Sequence, residues 1–107
     1  MIIIAGTASL RPDQHAAAVA AMHKMAAASQ ADKGCEDYRF AISVDDPEGV
    51  DVFECWTDQA ALDAHLATPH TAEFIAALGE LSVEGTLRLT RYEVSGSGPF
   101  TGASSAA

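Results

Sequence analysis

Positive charge is scarce in this sequence. Six lysine and arginine residues stand against 15 aspartate and glutamate residues in a chain of 107, which gives a formal net charge of −9. A surface of this sign repels phosphate backbones and anionic lipid headgroups. We therefore expect neither a nucleic acid nor a membrane among the partners of this chain.

Cysteine, long apolar runs and metal-binding spacings are equally rare. Cys35 and Cys55 are the two cysteines, too few for a disulfide framework. No apolar run reaches the length of a membrane span, and the start Met1–Ile4 lacks the basic region of a signal peptide. His65 and His70 are five residues apart rather than the helical four, and no zinc spacing occurs. We expect a cytoplasmic protein without a metal.

The hydrophobic pattern predicts four strands and three helical stretches. The strands are expected at 2–10, 35–44, 50–57 and 83–94, and the helices from Pro12 to about Ala31, from Asp58, and from Pro69. Gly34 and Thr68 are predicted as helix caps. The order βαββαβ is the α+β, ferredoxin-like pattern. Residues 1–94 form the predicted domain, and the Ser- and Gly-rich stretch 95–107 has the composition of a flexible tail.

The second and third strands form a predicted hairpin with its loop centred near Pro47, which places Tyr38 opposite Trp56. One face then carries Tyr38, Phe40, Ile42, Val52, Glu54 and Trp56. The opposite face carries Arg39, Ala41, Ser43, Asp51, Phe53 and Cys55. Both faces hold apolar groups, so we expect helices to cover one face and a second copy of the sheet to cover the other.

The candidate pocket lies where the third strand runs into the next helix. Trp56 can stack on a planar ligand, or it is a core indole with one partner for its N–H group. His65 is either a general base, since the ordinary pKa of histidine is about 6.5, or a helix-flank residue bonded to the Thr68–Pro69 backbone. Glu54 must be paired, hydrated or protonated, and Arg91 is a plausible partner.

Four further residues complete the predicted pocket. Tyr38 can hydrogen-bond a ligand oxygen, and His70 can shape the rim. Met22 and Phe74 supply an apolar lining, for which the alternative is ordinary core packing. The helix after Asp58 is expected to turn Leu62 and Leu66 inward and to leave His65 on its flank.

The sequence resembles the antibiotic biosynthesis monooxygenase (ABM) family, and in particular its short quinol-monooxygenase-like members. The resemblance rests on Gly34-Cys35-x-x-Tyr38, Asp45-Asp46-Pro47, Glu54-x-Trp56 and Ala61-x-x-x-His65-x-x-Thr68-Pro69-His70-x-x-x-Phe74, and it covers about residues 1–94. It implies a homodimer that pairs through the sheet into a dimeric α+β barrel. It also implies oxidation of a small aromatic quinol by oxygen without metal, flavin or haem.

One departure from the family pattern narrows the chemistry. The chain contains no asparagine. Polyketide-oxidising relatives use asparagines alongside the tryptophan, and haem-degrading relatives use one in the first strand, where this chain has Gly6 and Thr7. The absence argues against both activities, and most strongly against haem degradation.

Three functions therefore stand as hypotheses. The first is a cofactor-independent monooxygenase acting on a small quinol or hydroxylated aromatic, with His65 as base, Trp56 and Phe74 against the ring and Tyr38 orienting it. The second is a non-catalytic dimeric module that binds a small apolar ligand in the same pocket. The third is a small isomerase that uses His65 and Glu54 as an acid–base pair.

Overall fold

The computed structural model describes residues 1–101, which form a four-stranded antiparallel sheet and three α-helices. The elements are β1 (Ile2–Ser9), a 3-10 turn (Pro12–Gln14), α1 (His15–Gln30), β2 (Cys35–Ile42), β3 (Gly49–Trp56), α2 (Gln59–Leu66), α3 (Pro69–Leu81) and β4 (Arg88–Glu93). The strand order in the sheet is β2-β3-β1-β4. The predicted α+β, ferredoxin-like fold is confirmed.

Helix α1 packs against α3 and β2 through a narrow stripe. Its buried residues are Ala18, Met22, Met25 and Ser29, spaced three or four apart as one helix face requires. The sequence spacing of His15, Val19, Met22, Met25 and Ala26 predicts a single apolar stripe, but His15 and Val19 are exposed. The prediction was wrong there because it favoured large side chains, whereas the buried face includes small ones.

The β2–β3 hairpin is centred on Asp46 rather than Pro47. Ile42 pairs with Val50, and the Gly49 amide donates to the Asp46 carbonyl at 2.9 Å. Tyr38 consequently lies opposite Glu54, and the predicted pairing with Trp56 was wrong. A shift of two residues leaves every side chain on its predicted face, because side chains alternate along a strand with a period of two.

The core lies between the sheet and the helices in two neighbouring clusters. One contains Ile2, Met25, Tyr38, Trp56 and Leu62, and the other contains Leu10, Ala18, Met22 and Val50. Burying a side chain of the size of Leu62 contributes about 1.5–3 kcal/mol to folding. The first cluster supports the candidate site from behind, and the second forms part of its wall.

The last predicted strand is shorter than expected. Ser82 bridges to Leu10, a turn containing Gly85 follows, and β4 begins only at Arg88. Residues 95–101 have no regular secondary structure, and the rest of the predicted tail, 102–107, lies outside the described residues. Within residues 1–101, none of the helices has both the length and the apolar character needed to cross a bilayer.

Strand β4 leaves no room for a side chain at Gly6 of β1. A β-carbon at this position would collide with the carbonyl of Arg88. We expect Gly6→Ala to lower the free energy of unfolding by about 1–3 kcal/mol, the usual cost of overpacking, as measured by urea denaturation. Gly79→Ala is the matched control, because nothing lies within 4 Å of its added carbon and a helical Gly→Ala change stabilises by about 0.5–1 kcal/mol. An unchanged Gly6→Ala midpoint would contradict the close approach.

Candidate functional site

Two hydroxyl groups fix the backbone at the end of α2. Thr68 caps α3 as predicted, with its side chain accepting from the Thr71 amide, and Pro69 occupies the first turn. The Thr68 and Thr71 hydroxyls also donate to the His65 carbonyl, at 2.7 and 2.9 Å. The chain therefore stops one helix and starts the next within two residues, and His65 sits at the junction.

His65 is buried, with 2% of its surface exposed, whereas Leu66 is 56% exposed. Leu62 faces inward as predicted, but the prediction was wrong for the other two residues: His65 shares the inner face with Leu62, and Leu66 is exposed. The imidazole lies on the indole of Trp56, with ring centroids 4.4 Å apart and planes 35° apart. The hydrophobic pattern of α2 favoured an aliphatic side chain at this place, but the flat Trp56 indole accommodates an imidazole.

Asp32 holds the imidazole of His65 in one orientation. It lies in the turn between α1 and β2, and its Oδ2 is 2.8 Å from His65 Nδ1. An ionised carboxylate only accepts hydrogen bonds, so Nδ1 carries the proton and a neutral ring has its lone pair on Nε2. Within the described chain, Nε2 has one hydrogen-bonding partner, Thr71 Oγ1 at 3.4 Å. The predicted bond between the His65 ring and the Thr68–Pro69 backbone is not formed.

His70 bonds to the same carboxylate oxygen as His65. Its Nε2 is 2.8 Å from Asp32 Oδ2. Burial raises the pKa of Asp32, but the hydrogen bonds from the two imidazoles outweigh it, so the pKa lies below the ordinary value. We call Asp32, His65 and His70 the Asp32 cluster. Two nitrogens and one oxygen form a donor set that zinc and related ions accept. The spacing of His65 and His70 did not reveal this donor set, because its third member, Asp32, comes from another segment of the chain.

An apolar cavity of about 180 Å³ lies between the inner face of the sheet and α3. Its wall includes Met22, Phe40, Val52, Thr71 and Phe74, and Glu54 and His65 are the ionisable residues among the described ones that line it. The exposed side chains Leu66, Ile75, Leu87 and Leu89 also line it. The cavity therefore has an aliphatic rim and two acid–base groups in its wall.

Glu54 is 8% exposed and hydrogen-bonds to Trp56, whose Nε1 donates to Oε1 at 3.0 Å. The predicted ion pair with Arg91 was wrong, since that guanidinium bonds to Gln59 and Glu93. Burial raises the pKa of Glu54, and the bond from the indole and the nearby imidazole only partly oppose the shift. A carboxyl group kept in an apolar wall at such a cost is typical of functional sites.

The structure divides the predicted site residues into two groups. Met22, Glu54, His65 and Phe74 line the cavity. Tyr38, Trp56 and His70 are not part of its wall: Tyr38 packs edge-on to Trp56, Trp56 lies against His65, and His70 contacts Asp32. Burial raises the pKa of Tyr38 far above its ordinary value, so the phenol stays protonated. Trp56 thus occupies the core position named as its alternative, and Tyr38 likewise belongs to the buried core.

Sequence reasoning missed Asp32, Thr71 and the rim residues Leu87 and Leu89. Asp32 is 33 positions from His65, and nothing in its local sequence marks it. Thr71 was open to detection, because it follows the Thr68 cap by three residues, where a hydroxyl returns toward the preceding helix. Leu87 was missed because residues 83–87 were assigned to a strand, whereas β4 begins only at Arg88.

Glu54→Gln should raise the stability of the fold at neutral pH. The raised pKa means that the folded state disfavours ionisation of Glu54. The free energy of unfolding is therefore highest below pH 4.5, the pKa of this group in the unfolded chain. It falls as the pH rises through the pKa in the folded state. Glutamine stays neutral and still accepts from the Trp56 N–H group. We expect urea midpoints of the variant and the wild type to agree near pH 4 and the variant to be more stable near pH 8. Glu84→Gln, on the surface, is the control. A variant less stable than the wild type at pH 8 would contradict the assignment.

Comparison with known proteins adds a sequence family. The family model described as antibiotic biosynthesis monooxygenase matches residues 1–77. An uncharacterised Synechocystis protein, sll1783, is 31% identical over 74 residues, 69% of this chain and 50% of that protein. The chain thus spans about half the length of this relative. Rv0793 of Mycobacterium tuberculosis, named as a proposed monooxygenase, is 37% identical over 71 residues, 66% of this chain and 69% of that protein.

Solved structures share the whole architecture. The structure of Rv0793 superposes with a TM-score of 0.80 and 28% identity, covering 92% of this chain and 97% of the other. A protein from Deinococcus radiodurans, described as a proposed antibiotic biosynthesis monooxygenase, superposes with a TM-score of 0.86 and 27% identity, covering 95% of this chain and 100% of the other. The likeness therefore extends beyond the matched sequence region into β4.

Proposed function

Because the chain belongs to the antibiotic biosynthesis monooxygenase family, we propose that it oxidises a small quinol or hydroxylated aromatic with molecular oxygen and without a cofactor. One observation carries this proposal: the Asp32–His65 pair presents a base to an apolar cavity. Family membership supports the reaction class, and the apolar cavity supports this kind of substrate.

The size and lining of the cavity support a single aromatic ring. Its volume of about 180 Å³ exceeds that of an engineered apolar cavity of about 150 Å³ that holds benzene. Phe74 and Met22 would lie against the ring, and the aliphatic rim suits an apolar substituent that extends toward solvent. A phenolic oxygen has Glu54, His65 and Thr71 as polar partners in the described wall.

The proposed chemistry starts with a proton transfer to His65. Nε2 takes the phenolic proton, and Asp32 stabilises the imidazolium through its bond to Nδ1. The desolvated phenolate is electron-rich enough to reduce oxygen. A hydroquinone and O₂ would give a hydroxyquinone and water, with all four electrons coming from the substrate. The raised pKa of Glu54 favours its protonated form, so it would return a proton to the reduced oxygen.

The other predicted residues act through their neighbours in this scheme. Trp56 supports the imidazole from behind, because the two rings are 4.4 Å apart, and Tyr38 packs against that indole in turn. His70 shares the Asp32 carboxylate and limits how much negative charge His65 receives. None of the three needs to touch the substrate.

Oxygen uptake with a panel of alkyl-substituted hydroquinones tests the proposal. We expect hydroxyquinone formation without hydrogen peroxide, which a simple two-electron oxidation would release. His65→Gln should lower kcat by at least about 100-fold, whereas His23→Gln, on the exposed face of α1, should leave it unchanged. Turnover no faster than autoxidation, or equal turnover in His65→Gln, would overturn the mechanism.

An anaerobic arm of the same assay addresses the isomerase alternative. Glu54 and His65 line one cavity, which is the arrangement that an acid–base isomerisation needs. Substrate conversion that continues without oxygen, and that is lost in Glu54→Gln, would favour that function over oxidation. Ligand-induced thermal stabilisation without any turnover would favour the binding module.

We also propose a homodimer formed through the outer face of the sheet. That face carries Ile3, Ala5, Phe53, Cys55 and Tyr92, and Tyr92 is half exposed. No helix of the described chain covers it, and a second sheet would remove these apolar groups from water.

Sedimentation equilibrium tests the dimer. Ala5 lies between Phe53 and Thr90 in the sheet register, so Ala5→Glu places two carboxylates at the centre of the pairing. We expect the wild type to have the mass of two chains and this variant the mass of one. Val44→Glu, in the exposed hairpin loop, should remain dimeric. A monomeric wild type at high micromolar concentration would overturn the proposal.

A further inference from the structure

Three potential metal ligands from separate segments converge in the Asp32 cluster. Asp32 Oδ2 is 2.8 Å from His65 Nδ1 and 2.8 Å from His70 Nε2, and the three atoms lie within 4.8 Å of one another. Ligands bound to one zinc ion at about 2.0–2.2 Å lie roughly 3 Å apart. We propose that the Asp32 cluster binds a divalent transition-metal ion, for which Zn²⁺ is the best match, through these three atoms.

The other ring nitrogens support this assignment. A ligating histidine usually donates its second N–H group to an acceptor. Thr71 Oγ1 lies 3.4 Å from His65 Nε2, and the His70 side chain is 24% exposed, so its Nδ1 has access to water. In a neutral ring, binding would move one proton from the ligating nitrogen to the other.

Two of the three ligands are held in place before an ion arrives. The His65 ring is stacked on Trp56, and the Asp32 backbone is bonded on both sides, with its amide donating to Ser29 and its carbonyl accepting from Cys35. The edges of Asp32 and His70, 18% and 24% exposed, give an ion access, and water would complete its coordination. The site needs only a small approach of His70, the most exposed member.

An ion at this site would block the proposed oxidation. With Nδ1 bound to metal, the His65 proton lies on Nε2, and the ring cannot accept a phenolic proton. This consequence rests on the proposed function, whereas ion binding itself does not. The ion would therefore be an inhibitor of the site and not its cofactor.

Titration calorimetry with Zn²⁺ on chelator-treated protein tests the proposal, and Co²⁺ absorption reports the ligand geometry. We expect one ion per chain, with an affinity at least about tenfold weaker in His70→Gln and unchanged in His23→Gln. The visible bands of bound Co²⁺ should appear in the wild type and in His23→Gln and disappear in His70→Gln. Burial raises the pKa of the Cys35 thiol to about 11, so it should not compete near pH 7.

Two results would overturn the site. One is the absence of saturable Zn²⁺ binding by the wild type, and the other is an equal loss of affinity in His23→Gln and His70→Gln, which indicates surface chelation. If His70→Gln does not fold, as judged by its circular dichroism melt, His70→Asn provides the same comparison. Binding without inhibition of oxidation would contradict the role of His65 as base and leave the metal site intact. Inactivity on every quinol would leave the calorimetric result standing.

Discussion

A single carboxylate oxygen holds the ends of the three helices together. Asp32 follows α1, His65 lies in the last turn of α2 and His70 in the first turn of α3. Both imidazoles bond to the same Oδ2. Without this acceptor, His65 Nδ1 would be a buried polar atom with no partner in the described chain, at a cost of about 1–3 kcal/mol. The burial of His65, its tautomer and its stacking on Trp56 all depend on this one charge.

The inner face of the sheet serves two purposes that meet at Glu54. On one side Tyr38 and Trp56 form a buried core cluster with Leu62 of α2, and protein cores are close-packed. On the other side the same strands line a cavity, with residues from α1 and α3 opposite. Glu54 bonds to the indole and lines the cavity. It therefore lies between the packed core and the cavity, where burial disfavours its ionised form.

Periodicity predicted the elements and their faces well because both depend on local spacing. Strands β2 and β3 kept their predicted faces even though the hairpin register moved by two residues. That shift came from Asp46, whose side chain accepts from the Glu48 amide at 3.0 Å, a detail that turn composition does not resolve. Hydrophobicity assigned Leu66 rather than His65 to the inner face of α2. The assignment failed because the indole that packs against the imidazole belongs to another element, β3. Asp32 could not be predicted, since its role exists only once three segments meet.

The turn that carries Asp32 is wedged against the start of α2. Gly34 has a φ of +83°, and a β-carbon there would press against Ala61 and Thr57. The Thr57 amide donates to the Gly34 carbonyl at 2.9 Å. The position of the Asp32 carboxylate therefore depends on the length of this turn. An insertion at 31–34 would displace the carboxylate from both imidazoles. Descendants of this chain can diversify the cavity rim only while this connection keeps its length.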